Sequence, residues 1–140
     1  MNKKQRISLS AIIPGPPETV YEAWLDADQH AAFTGDDVRI EPFPGGTFNI
    51  WNGYITGRIL HLQPPKRIIQ AWRSADFPPD SPASELEIRL EKKGNDTLLQ
   101  LFHSGIPDEV AIDFKQWWIE NYIDPMKLYF GTLAQGTRNE

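Results

Sequence analysis

The sequence predicts an α+β domain in which a curved antiparallel sheet closes on one long C-terminal helix. Three observations carry that expectation. Seven segments have strand length and patterning, six of them in an unbroken series between residues 37 and 104. Turn signals separate those six at short intervals: Gly45-Gly46, Asn52-Gly53, Pro64-Pro65, Pro78 to Pro82 and Gly94-Asn95. Parallel neighbours would need connections of a dozen or more residues, so the strands pair as antiparallel hairpins. The third observation is the final helical stretch, 108–133, which contains Trp117, Trp118, Tyr122, Tyr129 and Phe130. A helix this aromatic needs a large apolar surface to lie against, and a curved sheet supplies one, with room between them for a ligand.

The elements follow in order. Residues 6–13 alternate apolar and polar as a half-buried strand. Pro14-Gly15-Pro16-Pro17 stops it, and Pro16 or Pro17 suits the first turn of a helix, where a missing N–H costs nothing. That helix runs to about 25, with Val20, Tyr21, Trp24 and Leu25 on one face. A second short helix, 27–33, ends at Gly35. Strands are expected at 37–41, 47–51, 55–63, 67–73, 84–93 and 97–104. Pro107 and the acidic turn Asp108-Glu109 mark the start of the last helix, and Pro125 inside it predicts a kink or two abutting helices.

Composition bounds the function. With 140 residues the chain is the size of one domain, 1–140, its core about 5–133. A formal net charge of -5 argues against a nucleic-acid partner, which needs a concentrated basic face. The only basic cluster, Lys3-Lys4-Arg6, reads as a solvated end. There is no cysteine, which removes disulfides, thiolate nucleophiles and sulfur-ligated metals. Ile7, Leu9, Ile12 and Ile13 are interleaved with Ser8 and Ser10 and stopped by Pro14, so no signal-peptide core follows the basic start. No apolar run approaches the ~20 residues that span a bilayer. The expectation is a cytoplasmic protein with no membrane partner.

The chain resembles a known family at particular residues. They are the helix start Pro16-Pro17-Glu18-Thr19-Val20-Tyr21-Glu22-Ala23-Trp24, then Gly45-Gly46-Thr47-Phe48, Gly57 with Ile59, Pro64-Pro65-Lys66-Arg67-Ile68-Ile69 and Trp72. The run from Thr97 through His103-Ser104-Gly105-Ile106-Pro107 continues them, with Trp118, Tyr122, Pro125-Met126 and Phe130. In these the chain is similar to the bacterial stand-alone members of the family named after the C-terminal domain of the activator of heat-shock-protein-90 ATPase. That family lies within the START-related, birch-pollen-allergen-like helix-grip superfamily. The resemblance implies a seven-stranded antiparallel sheet wrapped round the C-terminal helix, two short helices between strands 1 and 2, and a cavity that takes an apolar small molecule. The chain departs from the pattern at His61, where many relatives are acidic, and does not contain the N-terminal domain of eukaryotic chaperone activators, so ATPase activation is not carried over.

Alternation within strands selects candidate site residues. Thr97, Leu99, Leu101 and His103 share one face; Ile55, Gly57, Ile59 and His61 share another. Turned inward, His61 and His103 are polar groups on a cavity wall, able to orient a ligand carbonyl or move a proton. Gly57 is expected to leave space opposite the helix. The remaining wall is aromatic and apolar: Phe33, Phe48, Trp51, Ile59, Trp72, Leu101, Trp117, Trp118 and Tyr122, with Trp24 and Phe130 structural. His30 is expected to be exposed. With three histidines and no cysteine, neither a metal nor a cofactor is expected. Ser104 lacks a nucleophile elbow, and Asp36-Asp37 and Asp26/Asp28 read as turn and cap residues.

The leading reading is a non-enzymatic binding protein for a small apolar or aromatic molecule. The second is an enzyme using His61, His103 or Tyr122 for proton transfer. The third is an interaction protein working with a chaperone or a stress-response partner, and a homodimer is compatible with each.

Overall fold

The computed structural model of the chain describes residues 4–35 and 37–138, with side chains through 132. Lys3 and Asp36 lie outside the described residues. The order is β1 (Lys4–Ile13), α1 (Pro17–Leu25), α2 (Ala27–Thr34), β2 (Val38–Ile40), β3 (Thr47–Ile50), β4 (Ile55–Gln63), β5 (Arg67–Ser74), β6 (Ser84–Lys93), β7 (Asp96–Pro107), α3 (Phe114–Trp118), a π-helical turn (Ile119–Ile123) and α4 (Asp124–Arg138). The seven strands form one antiparallel sheet in the order β1-β7-β6-β5-β4-β3-β2. The first strand therefore lies beside the last, and α1 and α2 bridge from one edge of the sheet to the other.

Local chemistry explains the boundaries. Pro17 opens α1 with Glu18 in its first turn, and Val20, Tyr21, Ala23 and Trp24 are its buried face. The Asp26 carboxylate caps α2 by accepting from the Asp28 N–H at 3.0 Å. Gly35 ends that helix in the left-handed conformation, φ 84.

The last helix begins six residues later than the sequence predicts, at Phe114 rather than 108. β7 continues to Pro107, paired with Lys4, and the chain turns through a Val110 N–H to Pro107 carbonyl bond. Asp113 is the true cap, accepting from the Gln116 N–H at 3.2 Å in an Asp-x-x-Gln arrangement. The irregularity expected at Pro125 takes the form of the π turn directly before it, where the Asp124 N–H reaches back to the Ile119 carbonyl. Pro125 then sits in the first turn of α4, where it needs no donor.

The core lies between the inner face of the sheet and this composite helix. Trp72, Trp118, Tyr122, Phe114 and Phe130 are fully buried there, with Ile59, Ile68, Leu86, Ile88, Leu99 and Leu101 from the sheet. Trp24 is buried as well, its indole N–H donating to the Gln70 side-chain oxygen at 3.1 Å.

Candidate functional site

The Asp113 cap and the π turn aim Trp118 and Tyr122 at the sheet, their rings 4.8 Å apart. Trp118 is the buried one of the two adjacent tryptophans; Trp117 is half-buried at the rim. Trp118 donates its indole N–H to His103 Nδ1 at 3.0 Å. Nδ1 is therefore an acceptor, and the imidazole proton resides on Nε2, which donates to Ser84 Oγ at 2.7 Å. Ser84 passes its own hydrogen to the Trp72 carbonyl at 2.7 Å. Every polar atom of this chain of bonds has a partner. Burial pushes the His103 pKa down to about 3, so the ring is neutral at pH 7.

A second network stands on the other side of Tyr122. His30 Nδ1 lies 2.8 Å from the Trp24 carbonyl, which can only accept, so Nδ1 carries the proton. His30 Nε2 then accepts the Tyr122 hydroxyl hydrogen at 2.8 Å. Burial holds His30 down at about 4 and raises Tyr122 above its ordinary value. The expectation that His30 is exposed is thus corrected: it is 2% exposed. Its partner is 92 positions away, and the local clue was its spacing of three from Phe33, whose ring packs 4.9 Å from the imidazole.

His61 also departs from expectation: it is exposed. The β4 register against β5 shifts between Ile59, opposite Gln70, and His61, opposite Ile69. This β-bulge inserts one residue, Leu60, and resets the alternation. Ile59 stays fully buried, Leu60 and His61 both face solvent, and Leu62 resumes contact with the core.

Gly57 likewise does not open a void. Phe48 lies directly across from it in the β3–β4 register and lays its ring over the glycine. A Cβ at residue 57 would overlap that ring and the Ala71 carbonyl, so glycine here admits an aromatic rather than a ligand. Phe33 and Leu101 are buried in the same packing. Trp72 occupies the centre, with ring centroids 4.7 Å from His103, 5.4 Å from Trp118 and 5.6 Å from Trp117. These side chains lie between sheet and helix, on the side where the sequence suggests a cavity.

Of the residues predicted from sequence, Trp72, His103, Trp118 and Tyr122 converge in one cluster, and Phe33 joins it through Tyr122. Trp51 and Trp117 meet at the rim, 5.6 Å apart, beside Tyr54. Trp51 has a left-handed backbone, φ 55, an uncommon state for a bulky residue, and its indole reaches the Thr34 carbonyl at 3.3 Å. Tyr54 donates its hydroxyl to Asp76, which also receives the Ser74 hydroxyl at 3.2 Å. Sequence reasoning passed over Ser84, His30 and this Tyr54–Asp76 pair, because each is defined by a partner distant along the chain. Chemically, the inner imidazoles and the Tyr122 hydroxyl are committed to one another, while the polar and aromatic groups that meet solvent are at the rim. Among the described residues, no three His, Asp or Glu side chains converge as metal ligands, and no helix is long and apolar enough to cross a membrane.

Comparison with known proteins agrees with this fold. The human "Activator of 90 kDa heat shock protein ATPase homolog 1" is 28% identical over 130 residues, 93% of this chain and 38% of that protein. The chain spans less than two fifths of the length of the curated relatives it matches. Among solved structures, an HSP90 activator from Plasmodium falciparum superposes with a TM-score of 0.82 at 23% identity, over 90% of this chain and 96% of that one. The Aha1 dimer from Colwellia psychrerythraea superposes with a TM-score of 0.69 at 20% identity, over 93% of each chain. The family model described as "Activator of Hsp90 ATPase homolog 1-like protein" matches residues 14–131, and the chain belongs to that family.

Proposed function

We propose that the chain is a protein-binding module that docks on a 90-kDa heat-shock protein through its outer surface. The observation that carries this reading is that the inner polar groups are committed to one another: Trp118, His103, Ser84 and the Trp72 carbonyl form one chain of hydrogen bonds and Tyr122 with His30 another, whereas the groups free to recognise a partner lie on the outside. The bulge supports it by turning Leu60 to solvent, 49% exposed, and Phe43 in the loop between β2 and β3 is 54% exposed. The human relative named for activation of that ATPase supports the choice of partner. The same reading has the chain work in the cytoplasm.

The test is direct binding of this chain to the purified 90-kDa heat-shock protein, followed by sedimentation velocity and by its ATPase rate. Saturable association is the expected result. Failure to associate at any nucleotide state of the chaperone would overturn the reading.

A second reading, a site for a small apolar or aromatic molecule, is favoured by one observation: the strained Trp51 and half-buried Trp117 form an aromatic rim beside Tyr54. There an aromatic ligand would stack, and the Tyr54–Asp76 pair would orient a polar substituent. A naphthalene-type fluorescent probe should quench Trp emission stoichiometrically, and Trp51→Ala should abolish the quenching. Unchanged emission on titration would end this reading.

A further inference from the structure

β1 is an edge strand of ten residues, and among the described residues it pairs with β7 alone. One side of its backbone therefore carries N–H and C=O groups with no strand to answer them. Natural edge strands are shortened, interrupted by proline, charged, bulged or covered, because a free edge is a template for another strand; β1 has a bulge between Gln5 and Ile7 and the charges of Lys4 and Arg6 at its start, and no such guard from Ile7 to Ile13. β1 contains no proline, and instead of a cover it faces a groove of about 530 Å³ between itself and the C-terminal helix. The lining is mixed: Leu9 and Ala11 from the strand and Ile119 and Ile123 from the π turn form an apolar strip, beside the polar Ser8, Ser10 and Gln100. Lys115 and Lys127 line it from the helix, against the single carboxylate of Asp124. Lys4 and Arg6, exposed on the strand, add to the positive character on a chain whose net charge is -5.

We propose that this groove docks an extended peptide strand of a partner protein, apolar toward the helix and carrying carboxylates at its ends. The backbone of the incoming strand completes the sheet by adding beside β1, and its alternate side chains fall on Leu9, Ala11, Ile119 and Ile123. Lys115 and Lys127 are twelve residues apart, which is roughly 18 Å along a helix and matches about five to six residues of extended chain. The carboxylates of the guest are accordingly placed about six positions apart, on the face that carries its apolar residues. A second copy of this chain fits the charge pattern poorly. A two-fold pairing of β1 with itself brings Lys4, Arg6, Lys115 and Lys127 of both copies to one seam.

The proposal rests on the protein-binding reading and names its surface, so its test is arranged to separate the two. The probe is the fluorescein-labelled peptide Glu-Thr-Val-Thr-Val-Thr-Glu, with a control in which both glutamates are lysine. Fluorescence anisotropy on the intact chain should give saturable binding of the acidic peptide, at least tenfold tighter than the control. Lys115→Glu combined with Lys127→Glu should weaken it at least tenfold, and amide hydrogen exchange should show new protection at alternate residues of β1. Equal affinity for the two peptides, protection on another strand, or a peptide-free dimer whose β1 amides are already protected would each overturn the groove as a peptide site. If the chaperone binds wild type and the double charge reversal equally, this groove is wrong while the wider reading stands. Peptide binding on β1 without chaperone binding gives the converse result.

Discussion

Toward β5–β7 the C-terminal helix presents Trp118 and Tyr122, and every polar atom they meet is answered inside the protein. Toward β1 the same helix presents Lys115, Ile119, Ile123 and Lys127 along a strand edge that has no neighbour among the described residues. One helix thus divides its work by face. The inner side is given to packing, with its rings in mutual contact and its polar atoms paired. The outer side anchors itself through the buried Ile123 and exposes Lys115 and Lys127 beside a strand edge whose backbone groups no other strand answers among the described residues.

The largest expected effect sharpens the inner half of that contrast. Trp118→Ala removes a fully buried ring and the donor to His103 Nδ1, and should cost about 3–5 kcal/mol or prevent folding. Trp117→Ala, at the half-buried rim, should cost about 1–2 kcal/mol. Urea denaturation of the pair measures the difference; equal losses would mean that the two faces are not distinct.

Acid should act on the inner face next. Free in the unfolded chain, His30 and His103 take up protons near pH 6.5, whereas in the folded protein they stay neutral until about 4 and about 3. Both folded values are depressed, so the unfolded state binds more protons below pH 6.5, and stability is full above that value and lost as pH falls toward 3. At pH 5 the loss should be about 2 kcal/mol for each histidine. A denaturation midpoint unchanged between pH 7 and pH 5 would show that both imidazoles are solvated, and half the expected loss that one of them is.

A smaller effect separates two buried tyrosines. Tyr122→Phe leaves His30 Nε2 without its donor and should cost about 1–3 kcal/mol. The Tyr21 hydroxyl is buried with no hydrogen-bond partner among the described residues, so Tyr21→Phe should be neutral or stabilising by up to about 1 kcal/mol. Thermal melts of the two variants should move in different directions, and parallel destabilisation would show that Tyr21 has a partner.

The smallest effect belongs to the outer face. Lys115→Glu, Lys127→Glu and His61→Leu should each change stability by less than about 0.5 kcal/mol, because all three side chains are exposed.

How far the sequence reaches is clear from two histidines treated by the same argument. His103 alternates with Leu99 and Leu101 in a strand of regular register from Ile7 onward, so counting by twos put it inside. His61 alternates with Gly57 and Ile59 in the same way, yet one inserted residue at the bulge turns it outward. A bulge carries no compositional mark here, because Leu60 looks like any strand residue. Strand number, antiparallel order and the aromatic helix were legible because each is written in local periodicity and turn residues. His30 was not, because its helix face is chosen by Tyr122. The expected void opposite Gly57 failed for a related reason: its occupant, Phe48, is supplied by the neighbouring strand.

Amide hydrogen exchange of the chain, alone and with the 90-kDa heat-shock protein, tests the division between faces most directly. The account predicts that amides of β5–β7 around Trp72, Ser84 and His103 exchange slowly in both states. Those of β1 and of the helix face from Lys115 to Lys127 should gain protection only with the chaperone present. New protection confined to β5–β7, or none on β1 at saturating chaperone, would contradict it.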